Sequence, residues 1–489
     1  MPTGCLTVVG SGVQAPAHTT PEALAAIRSA EKLFVLVGDR VSAAWLQELS
    51  STAETLADAY RVGKPRIDTY REMTSRILTA VRAGRRVCAV FYGHPGFFVM
   101  PSHEAVRQAR EEGYAARMLP GISTADCLYA DVEDVGEAGR DPATGSQIFE
   151  ATHFLEWDLR FDPGTALLLF QIGAIGVRTA LAKDRWSKKG LVRLAHRLLD
   201  SYPPEHTVVL YEASWYGACR ARIRRIPLAR LAKVTVTRTT TLYIGGRGSA
   251  DGELRDARAI SPPPAPGRLV VVGTGCRAAG QISPEARVYL ARAGRVLVST
   301  QDAATAAWIQ ELRPDALRLP EDPDAAAAET LAVLRAETTV CLACDGHPAF
   351  HRPAAHTLRQ ARAAGHGARM LPAVSREDCL AADLDLDPGQ DGCLTLDAGD
   401  FLARPRTVQP TAAVLVHGAG RLARPQDGRE RLAELAGALD RVFPGRPEAV
   451  VYDALPPLPA ERSAVRRVPL GALAATGLDP ASTLYLPAA

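Results

Sequence analysis

The sequence predicts an α/β protein made of two tandem copies of one unit. Three observations predict it: short apolar runs alternate with longer helical stretches, the chain repeats itself from end to end, and 489 residues are too many for one core. The runs Leu33 to Val37, Val87 to Phe91 and Leu167 to Phe170 are short, uninterrupted and rich in branched and aromatic residues, which suits buried strands. Between such runs, Thr74 to Ala83 and Ser102 to Glu112 are longer and rich in alanine and arginine, which suits helices.

The repeat is legible residue by residue. Val8-Val9-Gly10-Ser11-Gly12 returns as Val271-Val272-Gly273-Thr274-Gly275, and Trp45-Leu46-Gln47-Glu48-Leu49 as Trp308-Ile309-Gln310-Glu311-Leu312, both at a spacing of 263. The spacing then falls to 253 at Gly93-His94-Pro95 and Gly346-His347-Pro348, so the second copy lacks ten residues between these landmarks. Leu119-Pro120 matches Leu371-Pro372, and Thr240-Thr241-Leu242-Tyr243 matches Ser482-Thr483-Leu484-Tyr485. Residues 247–267 are rich in glycine, proline and charge and include Ser261-Pro-Pro-Pro-Ala-Pro266, a composition that favours an extended spacer. The expected division is a first unit at 1–246, a linker at 247–267 and a second unit at 268–489.

Composition narrows the function classes. With 47% hydrophobic and 23% charged residues the chain folds and is neither disordered nor fibrous. A net charge of +3 gives no field that draws it to nucleic acid or to an anionic membrane. The start has no basic n-region and no apolar run reaches membrane-spanning length, so the expected location is the cytoplasm. Nine scattered cysteines do not form a secreted disulfide framework, and Cys341 and Cys344 fall inside a strand-like run, so most cysteines are expected as small buried hydrophobes. No metal is expected: the histidines show no recurring ligand spacing, and Pro348 disfavours a continuous helix through His347 and His351.

In α/β sheets ligands gather at the carboxyl ends of strands, so the glycine-bearing loops carry the functional reading. The loop at Gly10 to Gly12 lacks the third glycine of a dinucleotide fingerprint. Phe91-Tyr92-Gly93-His94-Pro95-Gly96-Phe97-Phe98 ends a strand with two glycines among aromatics, where backbone passes close to something flat. In Leu119-Pro120-Gly121-Ile122-Ser123, Ser123 can either cap the next helix or bind.

In order and spacing these loops, with the terminal Thr240-Thr241-Leu242-Tyr243 strand, resemble the tetrapyrrole methylase superfamily. More narrowly, the stretches Tyr60 to Met73, Phe91 to His103 and Arg117 to Asp131 resemble the borosin peptide-backbone α-N-methyltransferases. The resemblance implies two α/β subdomains per unit with a cofactor cleft between them, S-adenosylmethionine as methyl donor and S-adenosylhomocysteine as product. It implies a catalytic pair of Arg66 and Tyr70, with Tyr60 and Tyr92 holding the amide and the donor. For the cofactor it points to Tyr92, His94, Phe97, Phe98, Ser123, Gln171, Ala213, Thr240 and Thr241. The chemistry fits, because an amide nitrogen becomes nucleophilic only as its proton leaves and charge is held on oxygen. Arg66 is a permanent cation, and the phenols can donate to oxygen or take the proton; which phenol is the base stays open. Ala57 stands where that family often carries a tyrosine.

In the second copy the ten missing residues are those that carry Tyr60, Arg66 and Tyr70 in the first. Asp345 stands at the position of Tyr92, Ala349 at that of Gly96, and His417 is matched with Gln171. The second unit is therefore expected to be silent and to serve as the built-in partner of a pseudo-homodimer. The chain stops four residues after Tyr485, and the expected substrate is a separate precursor peptide delivered in trans by a leader. Methylation of a tetrapyrrole or another small molecule, and a non-catalytic peptide-docking protein, are the competing readings.

Overall fold

A computed structural model of the chain describes residues 3–132, 145–179, 186–247, 267–300, 302–404, 411–423, 426–443, 448–454, 463–479 and 481–488. The linker reading at 247–267 lies, apart from its two end residues, outside the described residues. The first sheet holds β1 (Cys5–Gly10), β2 (Lys32–Leu36), β3 (Ala53–Thr55), β4 (Arg86–Phe91) and β5 (Ala115–Leu119) in the order β3-β2-β4-β1-β5, every neighbour parallel. Parallel neighbours need crossovers, and the helices Arg40–Leu49, Arg66–Arg82 and Met100–Glu111 lie between successive strands. Helices over both faces explain why Val8, Val9, Ala89 and Val90 are all fully buried.

A second set of strands follows: β6 (Gly145–Glu150), β7 (Ala166–Phe170), β8 (Thr207–Glu212), β9 (Arg222–Pro227) and β10 (Thr241–Ile244), in the order β6-β7-β10-β8-β9. The second half of the chain repeats both sets. β11 (Arg268–Gly273), β12 (Arg295–Ser299), β13 (Leu317–Arg318), β14 (Thr339–Cys344) and β15 (Gly367–Met370) form a parallel sheet in the order β13-β12-β14-β11-β15. Then β16 (Cys393–Asp397), β17 (Ala413–His417), β18 (Glu448–Asp453), β19 (Ala464–Pro469) and β20 (Thr483–Leu486) run in the order β16-β17-β20-β18-β19.

The halves join edge to edge. β6 pairs antiparallel with β16, so the two mixed sets become one ten-stranded sheet. Gln147 faces Leu394, Ser146 faces Thr395 and Ile148 faces Cys393, which gives the junction a local two-fold through Gln147 and Leu394. Each half thereby covers an apolar strand edge of the other.

Two differences between the halves bear on the site. The first-half helix Arg66–Arg82 has 17 residues and its counterpart Pro323–Ala336 has 14, so the missing segment takes with it the loop after β3 and the first helical turn. The register also corrects one match. β6 aligns Glu150 with Phe170 of β7, and β16 aligns Asp397 with His417 of β17. His417 therefore stands at the position of Phe170, and Gly418 at that of Gln171; both Gln171 (φ 58°) and Gly418 (φ 77°) are left-handed. The sequence match favoured two polar side chains over the one-residue slip that the strand pairing requires.

Cys341 and Cys344 are buried in β14, while Cys219 is exposed. Among the described residues no helix is long and apolar enough to cross a membrane.

Candidate functional site

Three loops meet at the carboxyl ends of β1, β4 and β5. Gly12 and Gly93 exchange backbone hydrogen bonds at 3.2 and 3.1 Å, tying the first loop to the second. A β-carbon on Gly10 would lie 2.2 Å from the Gly93 carbonyl oxygen and 3.0 Å from the Gly121 α-carbon, so this close approach of three backbones requires glycine.

Arg66 opens its helix, and the chain just before it is fixed across to the second subdomain. The Arg66 N–H donates to the Arg178 carbonyl at 2.9 Å, and Pro65 bridges to Thr179. One turn apart on the helix, Arg66 Nε donates to the Tyr70 hydroxyl at 2.9 Å, while Arg66 Nη2 donates to Gln171 Oε1 at 3.4 Å. Tyr60 meets Tyr70 edge-on, with ring centroids 6.4 Å apart. These four side chains form one row that spans the first subdomain and the end of β7. Burial works to lower the Arg66 pKa, but Tyr70, Tyr60 and Glu150 outweigh it and the net shift is upward. Burial, the adjacent Tyr70 phenol and the hydrogen bond between the two raise the Tyr60 pKa against the pull of Arg66 and Arg238. Tyr60 is still 41% exposed as a residue, so the row ends at solvent.

Tyr92 lies apart from this row. It stacks on Trp215 at 4.9 Å and 23°, its hydroxyl bonds to Thr124, and burial pushes its pKa upward. Trp215 fills the space that Gly38 leaves: a β-carbon there would lie 1.7 Å from the indole. Gln14 Nε2 donates to the Ser214 carbonyl at 3.1 Å, which fixes this loop over the glycine turns. Ala213 is partly buried at the start of the same loop. Thr240 is fully buried and donates to Glu212 Oε1 at 2.6 Å. Thr241 is 1% exposed, and its hydroxyl has no hydrogen-bond partner.

Three of the sequence-selected residues face the second unit or their own helix. His94 Nδ1 accepts from the Gly96 N–H at 2.9 Å, so Nε2 carries the proton and donates to the Asp378 carbonyl at 2.9 Å. Burial lowers its pKa to about 3. The second unit returns the contact through His347, which bonds to the Asp126 carbonyl at 3.0 Å. Both ring nitrogens of His94 are thus committed, Nδ1 to its own loop and Nε2 to the junction between units. Phe98, left-handed at φ 62°, stacks on Phe170 at 4.6 Å and gives its N–H to Asp387 Oδ1 of the second unit at 3.0 Å. Phe97 packs against the His94 ring at 4.7 Å. Ser123 caps the helix Thr124–Asp131 in a reciprocal box with Asp126.

Sequence reading missed Glu150, which caps the helix after β6 and acts electrostatically on Arg66. It also missed Trp215 and Asp387. A tryptophan in a loop opposite a lone glycine is a weak signal, and Asp387 is legible only once the two units are placed together.

A family model described as Tetrapyrrole (Corrin/Porphyrin) Methylases matches residues 5–239 and again 268–473. A methyltransferase/ribosomally synthesized type I borosin cyclic peptide precursor of Coprinopsis marcescibilis is 38% identical over 230 residues, 47% of this chain and 57% of the relative. A protein of the same description from Mycena rosella is 43% identical over 266 residues, 53% of this chain and 64% of the relative. The match thus spans less than two thirds of these curated relatives. The crystal structure of uroporphyrin-III-C-methyltransferase from Thermus thermophilus aligns with half of this chain and 92% of its own, at 19% identity and a TM-score of 0.35.

Proposed function

Because the chain belongs to the tetrapyrrole (corrin/porphyrin) methylase family, we propose that its first unit is a methyltransferase that uses S-adenosylmethionine to methylate backbone amide nitrogens of a separate peptide. The observation that carries this reading is the row Tyr60, Tyr70, Arg66 and Gln171, built on a helical turn that the second unit lacks. The naming of the curated relatives as borosin precursors and methyltransferases supports a peptide as acceptor.

The residues fit the donor. The Gly10, Gly93 and Gly121 turns pack backbone against backbone and so hold the loops where a donor would lie, and the buried, unpartnered Thr241 hydroxyl is a polar group that a ligand can satisfy. Tyr92, Phe97, Gln171, Ala213 and Thr240 would border it, while His94, Ser123 and Phe98 would act through backbone or by holding the loops. S-adenosylmethionine supplies an electrophilic methyl group on a sulfonium and leaves as S-adenosylhomocysteine.

The chain's own part concerns the proton and the amide oxygen. Arg66, with donors to spare beyond Tyr70 and Gln171, holds the charge that grows on the amide oxygen. Tyr70 Oη, which accepts from Arg66 Nε, takes the proton from the amide nitrogen as its own proton passes to Tyr60 Oη. Tyr60 then releases a proton to solvent at its exposed edge. The raised pKa of Tyr60 suits a relay that stays protonated at rest. The second unit, joined through β16 and the His94 and His347 contacts, serves in this reading as the built-in partner subunit.

The test uses purified protein, methyl-labelled S-adenosylmethionine and small-peptide extract fractions, with an Arg66→Ala, Tyr70→Phe variant as blank. Label recovered as N-methyl amino acids after acid hydrolysis, only with the unaltered protein, is the expected result. Label in a pigment-like small molecule overturns the peptide reading, and no transfer to any fraction overturns the methyltransferase reading.

A further inference from the structure

The second unit gathers arginines where the first has its reaction row. Arg421, shortly after the left-handed Gly418, donates from Nη2 to Asp397 Oδ2 at 2.8 Å. Arg352, the first residue of the helix Arg352–Ala363, lies 3.5 Å from the other oxygen. Asp397, the counterpart of Glu150, already caps its own helix through the N–H groups of Gly399 and Asp400 at 3.1 Å each. Arg376, first in the helix Arg376–Leu384, acts electrostatically on both Arg421 and His351 and has no carboxylate partner among the described residues. The neighbouring Glu377 accepts from the Thr395 hydroxyl at 2.7 Å and lies 3.5 Å from His417 Nε2.

Two guanidinium groups therefore share one carboxylate that is already used as a helix cap, and the positive charge of Arg376 acts on the same cluster. Burial first, then the charges of Arg352 and Arg376, pull the Arg421 pKa down despite Asp397. The side chains of Arg352 and Arg421 are 53% and 51% exposed, which leaves donors open. The cluster is not inherited from the repeat. The residues matching Arg352, Arg376 and Arg421 in the first unit are Met100, Thr124 and Ala174, all neutral.

We propose that Arg352, Arg376 and Arg421 form an oxyanion site in the second unit, for a carboxylate or phosphate group of a small molecule. The planar guanidinium fork suits both groups. The site goes beyond the methyl-transfer reading and does not depend on which acceptor the first unit takes.

The experiment is calorimetric titration of the full chain with inorganic phosphate and, separately, with citrate, in about 0.15 M salt to screen loose surface binding. The expected result is saturable binding of one equivalent of either probe. Preference for phosphate assigns a phosphate site, and preference for citrate a carboxylate site. Arg376→Ala breaks no ion pair among the described residues and should weaken binding about tenfold or more. Arg352→Ala carries the same expectation at a half-exposed side chain, and melting temperatures report whether either variant still folds. Arg66→Ala should leave the binding unchanged, which separates this site from the reaction centre. Failure of both probes to saturate, or equal affinity in folded Arg376→Ala and Arg352→Ala, overturns the proposal.

Discussion

Arg66 and Tyr70 sit one turn apart on the helix Arg66–Arg82, so a single hydrogen bond at 2.9 Å joins the cation to the phenol. If the pair holds charge that develops only as the amide proton leaves, removing either should slow the chemistry and spare ligand binding. Arg66→Ala and Tyr70→Phe are expected to lower methyl transfer about 10²- to 10³-fold. Affinity for S-adenosylmethionine, measured by calorimetry, should change by no more than about twofold. A loss of affinity as large as the loss of rate would assign the pair to cofactor binding instead. At the glycine turns the constraint is steric. Gly10→Ala would set a β-carbon 2.2 Å from the Gly93 carbonyl oxygen and 3.0 Å from the Gly121 α-carbon, both backbone atoms that cannot swing aside. It should cost about 1–3 kcal/mol in urea unfolding. Gly113→Ala is the control, because nothing lies within 4 Å of its added carbon; its φ of 83° limits that cost to backbone strain.

Between elements, the helices Thr124–Asp131 and Arg376–Leu384 bring Asp126 and Asp378 together in the core of the junction, 2% and 0% exposed. Ser123 and Ser375 bond to one oxygen of each, Glu377 adds negative charge, and His94 and His347 bond to the carbonyls of the same two residues. Burial raises Asp126 to about 7 and raises Asp378 well above the carboxylate range, the latter with the Asp126 charge added. Unfolded carboxyls titrate near pH 4, so between about 4 and 7 the folded chain holds a proton that the unfolded chain has lost. The stability this contributes is full below about 4 and disappears as pH rises through about 7. Asp126→Asn, which donates without titrating, should therefore flatten the fall in melting temperature as pH rises through about 7. The buried histidines act in the opposite sense below about 6.5 and do so in both proteins, so they cancel in the comparison. An unchanged pH profile would show that the pair does not share a proton. This layer of the fold was illegible in the sequence. The glycine turns, the strands and the missing ten residues are local patterns, and they could be read. The role of His94 depends on Asp378, 284 positions away, and that of Phe98 on Asp387, 289 positions away, distances at which no periodicity survives. The slip between Gln171 and Gly418 has the same cause, since register is set by the partner strand.

Across the whole molecule, duplication has kept the scaffold and changed the clefts. Strand order is the same in both halves and the β6 to β16 junction is locally symmetric, yet the chemistry at matching points is not. The first unit has Tyr92 on Trp215, Gln171 receiving Arg66, and an extra helical turn; the second has Asp345 and Gly418, a shorter helix, and the arginines around Asp397. S-adenosylmethionine carries a sulfonium and an ammonium against a single carboxylate, so a cationic cleft disfavours its net positive charge, because like charges in a partly buried site are weakly screened. The chain should therefore bind one equivalent of S-adenosylmethionine, measured by calorimetry, where a symmetric dimer of first units would bind two. Tyr92→Ala should weaken that single binding event, and Arg376→Ala should leave it untouched. A stoichiometry of two would mean that the second cleft still takes the donor despite its charge, and the asymmetry between the units would then lie in the acceptor site alone.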